Sequence, residues 1–247
     1  MGRLSGGRLE LALTFHPRWY FALLTAAAVP LFVCLGFWQW NRGEHRSAQW
    51  AAFARADQRA VETTVDALGQ LPRFSHVVVH GEFDTQRQFL LDNISHNGAP
   101  GYEVLSVLQL AEGSRLLVNR GWVPFSGFRE QLPDVALASE GAQRISGRLS
   151  VLPVAGMVSG RQAPAATGSW PRVTSFPTHE QLQQALGVPL LAPVLLLDAD
   201  SGPGYLRDWR PPGIAPERNY SYAVQWWAFA LLAVGLFIGL NLKRRDA

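Results

Sequence analysis

Few residues in this 247-residue sequence are spaced for catalysis. No Ser stands in G-x-S-x-G, the strained strand-to-helix turn that exposes a nucleophile. No H-E-x-x-H pair, phosphate-cradling glycine loop or dinucleotide fingerprint occurs. His76 and His80 are four residues apart, but the Val77-Val78-Val79 run between them argues for a strand. On a strand their side chains lie ~13 Å apart, too far to share one metal, so they read as solvent-face histidines. Asp84, Asp92, Asp198 and Asp200 fall at turns or strand ends, where Asp is common because its carboxylate bonds nearby backbone N–H groups. The single cysteine, Cys34, lies inside an apolar run, so the rest of the chain has no disulfide, zinc-thiolate site or thiol nucleophile. The expectation is a protein with no catalytic and no metal-binding residues, not an enzyme in its own right.

The more informative residues sit at the ends of two apolar runs. Trp19 to Trp40 (WYFALLTAAAVPLFVCLGFWQW) and Ala223 to Leu242 (AVQWWAFALLAVGLFIGLNL) each approach the ~20 residues that cross a bilayer as a helix. Trp19, Tyr20, Trp38 and Trp40 flank the first, and Tyr220, Tyr222, Trp226 and Trp227 the second, as aromatic rings do at headgroup level. The first run is too long for a signal-peptide core and is followed by no small-x-small cleavage site. Arg3, Arg8 and Arg18 precede it, and Lys243, Arg244 and Arg245 follow the second run. Arg42 and Arg46 weigh against the orientation these imply, but two basic tails favour both termini in the cytoplasm. Less Glu10 and Asp246, the six tail cations account for all of the formal net charge of +3. The segment between is therefore near neutral, and the basic balance reflects topology and not a nucleic-acid surface. No Arg- and Ser-rich transit segment precedes the first run, so a bacterial inner membrane is the expected location. The domain reading is a cytoplasmic tail at 1–18, spans at 19–40 and 219–242, a periplasmic domain at 41–218 and a basic tail at 243–247. In such a hairpin the outer ends carry Gly36, Trp38, Gln39 and Arg42 on one helix. Asn219, Tyr220, Tyr222, Gln225 and Trp226 stand at the same depth on the other. Gln225 needs a partner or water there, Arg42 can snorkel, and Gly235 and Gly239 form a small-xxx-small step.

These ends must be positioned by the domain between them. WNRGEHRSAQWAAFARADQRAV continues the first helix at helical spacing through Trp50, Phe53, Ala54 and Val61, with Gly43 weakening the link and Leu71-Pro72 ending it. From Phe74 the period becomes two. SHVVVHGEF reads as a strand ending near Gly81, and RQFLLDNI as its continuation or partner. After the NGAPG turn come YEVLSVLQL, a turn at Glu112-Gly113, SRLLVNRGWVP and then RISGRLSVL. Val154 to Gly168 reads as a long loop, and THEQLQQALGV as a short helix with Thr178 as N-cap and Gly187 as stop. APVLLLDA is a last strand, and SGPGYLRDWRPPGIAPERN a Pro/Gly-rich return. The fold class is a membrane protein with two transmembrane helices flanking an α+β domain, mainly antiparallel sheet or open barrel.

The residues also carry a resemblance. LGFWQWNR (Leu35 to Arg42), VHGEFD (Val79 to Asp84), LLDN (Leu90 to Asn93), PGYEVL (Pro100 to Leu105), LVNRGWVP (Leu117 to Pro124) and YAVQW (Tyr222 to Trp226) stand in the order of the surfeit locus protein 1 family. The resemblance runs from about Pro17 to the C-terminus. It implies two spans around one exported domain and a role in assembling cytochrome c oxidase, by helping haem a reach the catalytic subunit. The implied partners are that subunit and the enzymes of haem a synthesis, together with the lipid bilayer. In that family a His, proposed as a haem ligand, stands three residues before the Tyr of the second-span signature. Here the position is Asn219, and an amide is a poor ligand for haem iron. Asn219 suits the N-cap of the second span better than a ligand role. His45, just past the first span, is the nearby imidazole. Ser106-Val107 departs from the family's usual Thr-Pro. In the Asn119, Arg120, Gly121, Trp122 segment, Gly121 suits a turn or close approach and Arg120 a haem propionate or partner carboxylate. The same segment suits equally a strand end packed for stability alone. A tethered scaffold or sensor without haem shares this topology, and a membrane-tethered hydrolase is disfavoured for lack of a nucleophile.

Overall fold

The computed structural model describes residues 13–55, 60–138, 141–154 and 161–244. They form two compact units, Met1–Ala51 with Pro212–Ala247, and Ala52–Pro211. The described residues open with a short strand β1 (Leu13–Phe15) and a 37-residue helix α1 (Trp19–Arg55) that runs unbroken through Pro30 and Gly43. The helical pattern was expected to run to Val61; the described helix reaches Arg55, and residues 56–59 lie outside the described residues. Val61–Glu62 is instead a two-residue strand β2, paired parallel to Val77 and Val78, which suits a β-branched side chain. One helical turn follows, α2 (Val65–Leu68).

The sheet unit continues with β3 (His76–His96), β4 (Ala99–Leu110), β5 (Arg115–Pro124), β6 (Gln143–Ser150), β7 (Arg172–Thr174), helix α3 (His179–Leu186) and β8 (Val194–Leu197). RQFLLDNI is the continuation of the first long strand and not a separate partner. The join is an irregularity between Phe83 and Gln88. There Asp84 Oδ1 accepts the backbone N–H groups of Gln86 and Arg87, while Oδ2 pairs with Arg87 Nε at 2.6 Å. That local bonding stabilises the bulge in place of the lost ladder bonds. β3, β4 and β5 form the expected meander. The later order departs from it, because β8 inserts between β5 and β6, parallel to β5. β6 then pairs back to β3, so the β3–β4, β4–β5, β5–β8, β8–β6 and β6–β3 ladders return to their starting strand.

Alternation along the strands divides the core. Val77, Val79, Leu116, Val118, Ile145, Leu149, Leu195 and Leu197 point to one side of their strands and pack together. Phe89, Leu91, Leu117 and Val194 point to the other, where Leu182 and Leu186 of α3 cover them. Both faces of these strands are buried, which explains runs such as Leu116-Leu117-Val118 that lack polar alternation. α3 starts at Thr178, whose Oγ1 accepts Gln181 N–H while Gln181 Oε1 accepts Thr178 N–H. It stops at Gly187, at φ 71°. Both ends are as the sequence indicated.

The other unit holds α1, helix α4 (Pro216–Asn241) and strand β9 (Leu242–Arg244). Both helices are long and apolar enough to cross a membrane, with mean hydropathies of 2.1 and 1.9 over their most apolar windows. Only 6% and 11% of those windows are buried against protein. A core helix of a soluble protein would cover its apolar faces, and these do not.

Candidate functional site

The two long helices meet through aromatic rings laid on glycine. A Cβ at Gly36 would overlap the Trp227 indole, and one at Gly43 would lie 2.6 Å from the Tyr220 ring. Trp40 sits between, 4.9 Å from Tyr220 and 5.9 Å from Trp227, and Phe32 stacks on Trp226 at 5.7 Å. Tyr220 donates its hydroxyl proton to Glu44 Oε1 at 2.9 Å. Close approach therefore uses Gly36 and Gly43 of α1. Gly235 and Gly239, the expected small-residue step, face open space.

This packing sorts the residues expected at the outer ends. On α1, Trp38, Arg42 and His45 are exposed and follow one another at i, i+4 and i+7, so they share an outer face. The Arg42 guanidinium lies 5.6 Å from the Trp38 ring. Gln39 is on the same face as Gly36 and Gly43, and its Oε1 is buried without a hydrogen-bond partner. On α4, Tyr222 and Gln225 are exposed and Trp226 is half-buried on Phe32. Asn219 is 9% exposed, in line with buried Pro216, Ala223 and Ala230. It is not the N-cap: α4 begins at Pro216 after Ala215, so Asn219 lies inside the first turn. Pro starts a helix one turn earlier than the polar cap suggested because its fixed φ suits the N1 position. The eight residues do not converge on one cleft. Trp38, Arg42, His45, Tyr222 and Gln225 point outward, whereas Gln39 and Asn219 lie on the packed faces of their helices.

The opposite end carries a feature the sequence reading did not single out. β1 pairs antiparallel with β9, and Asn241, only 1% exposed, ties the strands to both helices. Its Oδ1 accepts the Arg18 backbone N–H at 2.9 Å, and its Nδ2 donates to Phe237 O at 2.7 Å. The signal was an amide just before the Lys243-Arg244-Arg245 stop, in the last turn of an apolar helix. Of the tail cations, Arg18 and Lys243 fall among the described side chains. Arg3, Arg8, Arg245 and the Arg244 side chain lie outside them.

In the sheet unit the Asn119, Arg120, Gly121, Trp122 segment closes the end of β5 against the return segment. Tyr205 N–H donates to Arg120 O, and Trp122 and Leu206 exchange backbone bonds. Gly121 has φ 113°, and a Cβ there would lie 2.7 Å from Leu206 O, so both conformation and space require glycine. Arg120 is 3% exposed, and Nε and Nη1 donate to Pro203 O and Val135 O, each at 3.1 Å. Burial lowers its pKa, with Tyr205 opposing, and it has no carboxylate partner among the described residues. Asn119 Nδ2 donates to Glu103 Oε2 at 2.7 Å, and Asn119 Oδ1 accepts Gly121 N–H. Burial raises the Glu103 carboxyl above the usual range, with the Asn119 bond opposing. His76 is not a solvent-face residue. Its Nε2 meets Asp198 Oδ2 at 2.5 Å across the sheet, and the two are only 19% and 18% exposed. His80 is exposed as expected, 3.6 Å from Glu62. Among the described residues no three His, Cys, Asp or Glu side chains are grouped to hold a metal.

A sheet-rich domain flanked by two apolar helices is the class this arrangement defines. A model of the SURF1 family matches residues 26–231, which takes in most of both helices and the whole sheet unit. The chain belongs to the SURF1 family. A SURF1-like protein from Dictyostelium discoideum is 43% identical over 49 residues, a segment covering 20% of this chain and 18% of the relative.

Proposed function

We propose that this protein is an assembly factor for the haem-copper cytochrome c oxidase, acting at the inner membrane to help haem a reach the catalytic subunit. The observation that carries the reading is the family match running continuously across both apolar helices and the sheet unit between them. Lipid supplies the burial that the two helices lack within the chain. Arg18 and Lys243 at the β1–β9 end support a cytoplasmic side for that end. The sheet unit then lies in the periplasm, within reach of the oxidase's outer face and of the enzymes that make haem a. Reporter fusions at Ala142 are expected to read periplasmic, and a cytoplasmic reading there overturns the orientation.

Haem a enters this scheme as cargo. Asn219 does not fit an axial ligand, because its amide is a weak donor to iron and it lies on the packed face of α4. His45 is an exposed imidazole on the Trp38–Arg42 face, which makes that outer face the better candidate for transient contact. The same facts favour a second reading, in which this member holds the oxidase subunit without ligating haem. Deleting the gene while following oxidase activity, haem a per oxidase and subunit transcripts tests the function. Loss of haem a with normal transcripts is expected, and a fully haem-loaded, active oxidase refutes the assembly role.

A further inference from the structure

Two sequence landmarks, LLDN and PGYEVL, have no task in the assembly reading. In the sheet unit they meet at a cavity of about 600 Å³, to which Asp92, Asn93 and Tyr102 contribute together with Arg129, Arg161 and Ser175. The β3–β4 register shifts between Leu91 and Ile94, and Asn93 has φ 63°. A bulge of this kind re-aims side chains that a regular strand would alternate. Asn93 is then fixed by donating Nδ2 to Ser175 Oγ at 3.0 Å.

The charges in this cavity do not balance. Asp92 Oδ2 is matched by Arg129 Nη1 at 2.7 Å, and its Oδ1 accepts Asn93 N–H. Arg161 is exposed and makes no hydrogen bond among the described residues, so it leaves the cavity one net positive charge. Tyr102 is only 2% exposed, yet its hydroxyl also has no hydrogen-bond partner among the described residues. Burial raises the phenol's pKa, Asp92 adding and Arg129 opposing, so it remains a proton donor. The hydroxyl opens to the cavity and can donate to an occupant, and the volume is within the ~300–1,000 Å³ usual for small-ligand sites.

We propose that this cavity binds an organic carboxylate, with the Arg161 guanidinium and the Tyr102 hydroxyl donating to its oxygens and Val173 contacting its apolar part. One net cation matches one carboxylate, whereas a phosphate dianion would leave charge unmatched beside Asp92. The proposal does not rest on the oxidase reading. It is tested by titrating the detergent-purified full chain with benzoate, neutral benzamide and inorganic phosphate, observed by ligand saturation-transfer NMR. Saturable benzoate binding is expected, with benzamide much weaker. Arg161→Gln and Tyr102→Phe should each lower benzoate affinity about tenfold or more, the scale of one charge-assisted hydrogen bond. Arg161 is on the surface, so its loss does not threaten folding. Three results overturn the proposal: no saturable benzoate binding, equal binding of benzamide, or an Arg161→Gln variant that binds as wild type. Binding of phosphate in preference to benzoate overturns the carboxylate assignment.

Discussion

Arg120→Met separates a structural from a contact role for the Asn119–Trp122 segment. The guanidinium donates to Pro203 O and Val135 O, each at 3.1 Å, and its Cζ lies 5.0 Å from the Tyr205 ring centroid. Its 3.5 Å approach to Ser106 Oγ is at the edge of hydrogen-bonding range and contributes little. Two bonds from a charged donor contribute ~1.5–3 kcal/mol each, and a desolvated cation over a ring adds about 1–2 kcal/mol. Against this stands the cost of burying the cation, several kcal/mol, which methionine removes while keeping much of the side-chain length. What remains after the substitution is a buried Val135 carbonyl and a partly buried Pro203 carbonyl without partners. At ~1–3 kcal/mol for a fully buried group and less for the other, the net loss is about 2–4 kcal/mol. That is a large part of the ~5–15 kcal/mol that holds a domain folded. Arg120→Lys should not rescue, because it keeps the buried charge with donors too few and misplaced for both carbonyls. The assay is urea unfolding of the full chain in detergent, followed by tryptophan fluorescence. Stability within about 0.5 kcal/mol of wild type, the scatter of a neutral surface change, would refute a structural role for the Arg120 bonds. If that variant also failed to support oxidase assembly, Arg120 would be a partner contact.

Other outcomes follow from the same structure. Gly36→Ala drives a methyl group into the Trp227 indole, itself held by Phe37 and Trp40, and should destabilise the hairpin by about 1–3 kcal/mol. Gly235→Ala meets no atom within 4 Å and should stabilise by about 0.5–1 kcal/mol, so detergent denaturation midpoints that move in the same direction would count against the packing described. Burial raises the Glu103 pKa, so the folded chain holds that proton more tightly than the unfolded chain does. The associated stability is present below the unfolded-chain value of 4.5 and is lost as pH rises through the folded pKa. Glu103→Gln should remove that fall from unfolding curves measured between pH 4 and neutrality, and an unchanged pH profile would show that Glu103 is not its source. Wild-type protein should bind haem more weakly than Asn219→His, and His45→Ala should weaken what binding there is. Soret titrations that are tight and identical for all three would remove both positions from the cargo path.

The sequence by itself determined the two apolar helices, the meander of β3, β4 and β5, and α3 with both its ends. These are local properties. A charge-free run of ~20 residues, a period of two and a Thr-x-x-Gln box are each read from neighbours in the chain. Family membership was legible for a related reason, since LGFWQWNR, VHGEFD and LVNRGWVP are contiguous strings. Their meanings were not. Whether Arg120 reaches outward or is buried depends on Pro203 and Val135, 83 and 15 residues away. His76 looked like a solvent-face residue because Asp198, 122 residues later, becomes its partner only when β6 and β8 close against β3. The insertion of β8 between β5 and β6 left no local mark, because each strand's pattern specifies a face to bury and not the neighbour that buries it. The same limit applies to the helices. Hydropathy marked α1 and α4, but the faces they press together follow from which residues let the backbones approach, Gly36 and Gly43 and not Gly235 and Gly239. Asn219 and His45 stood side by side as candidates along the sequence. The rotation of each helix about its own axis, set by those ring-on-glycine contacts, turned one inward and the other out.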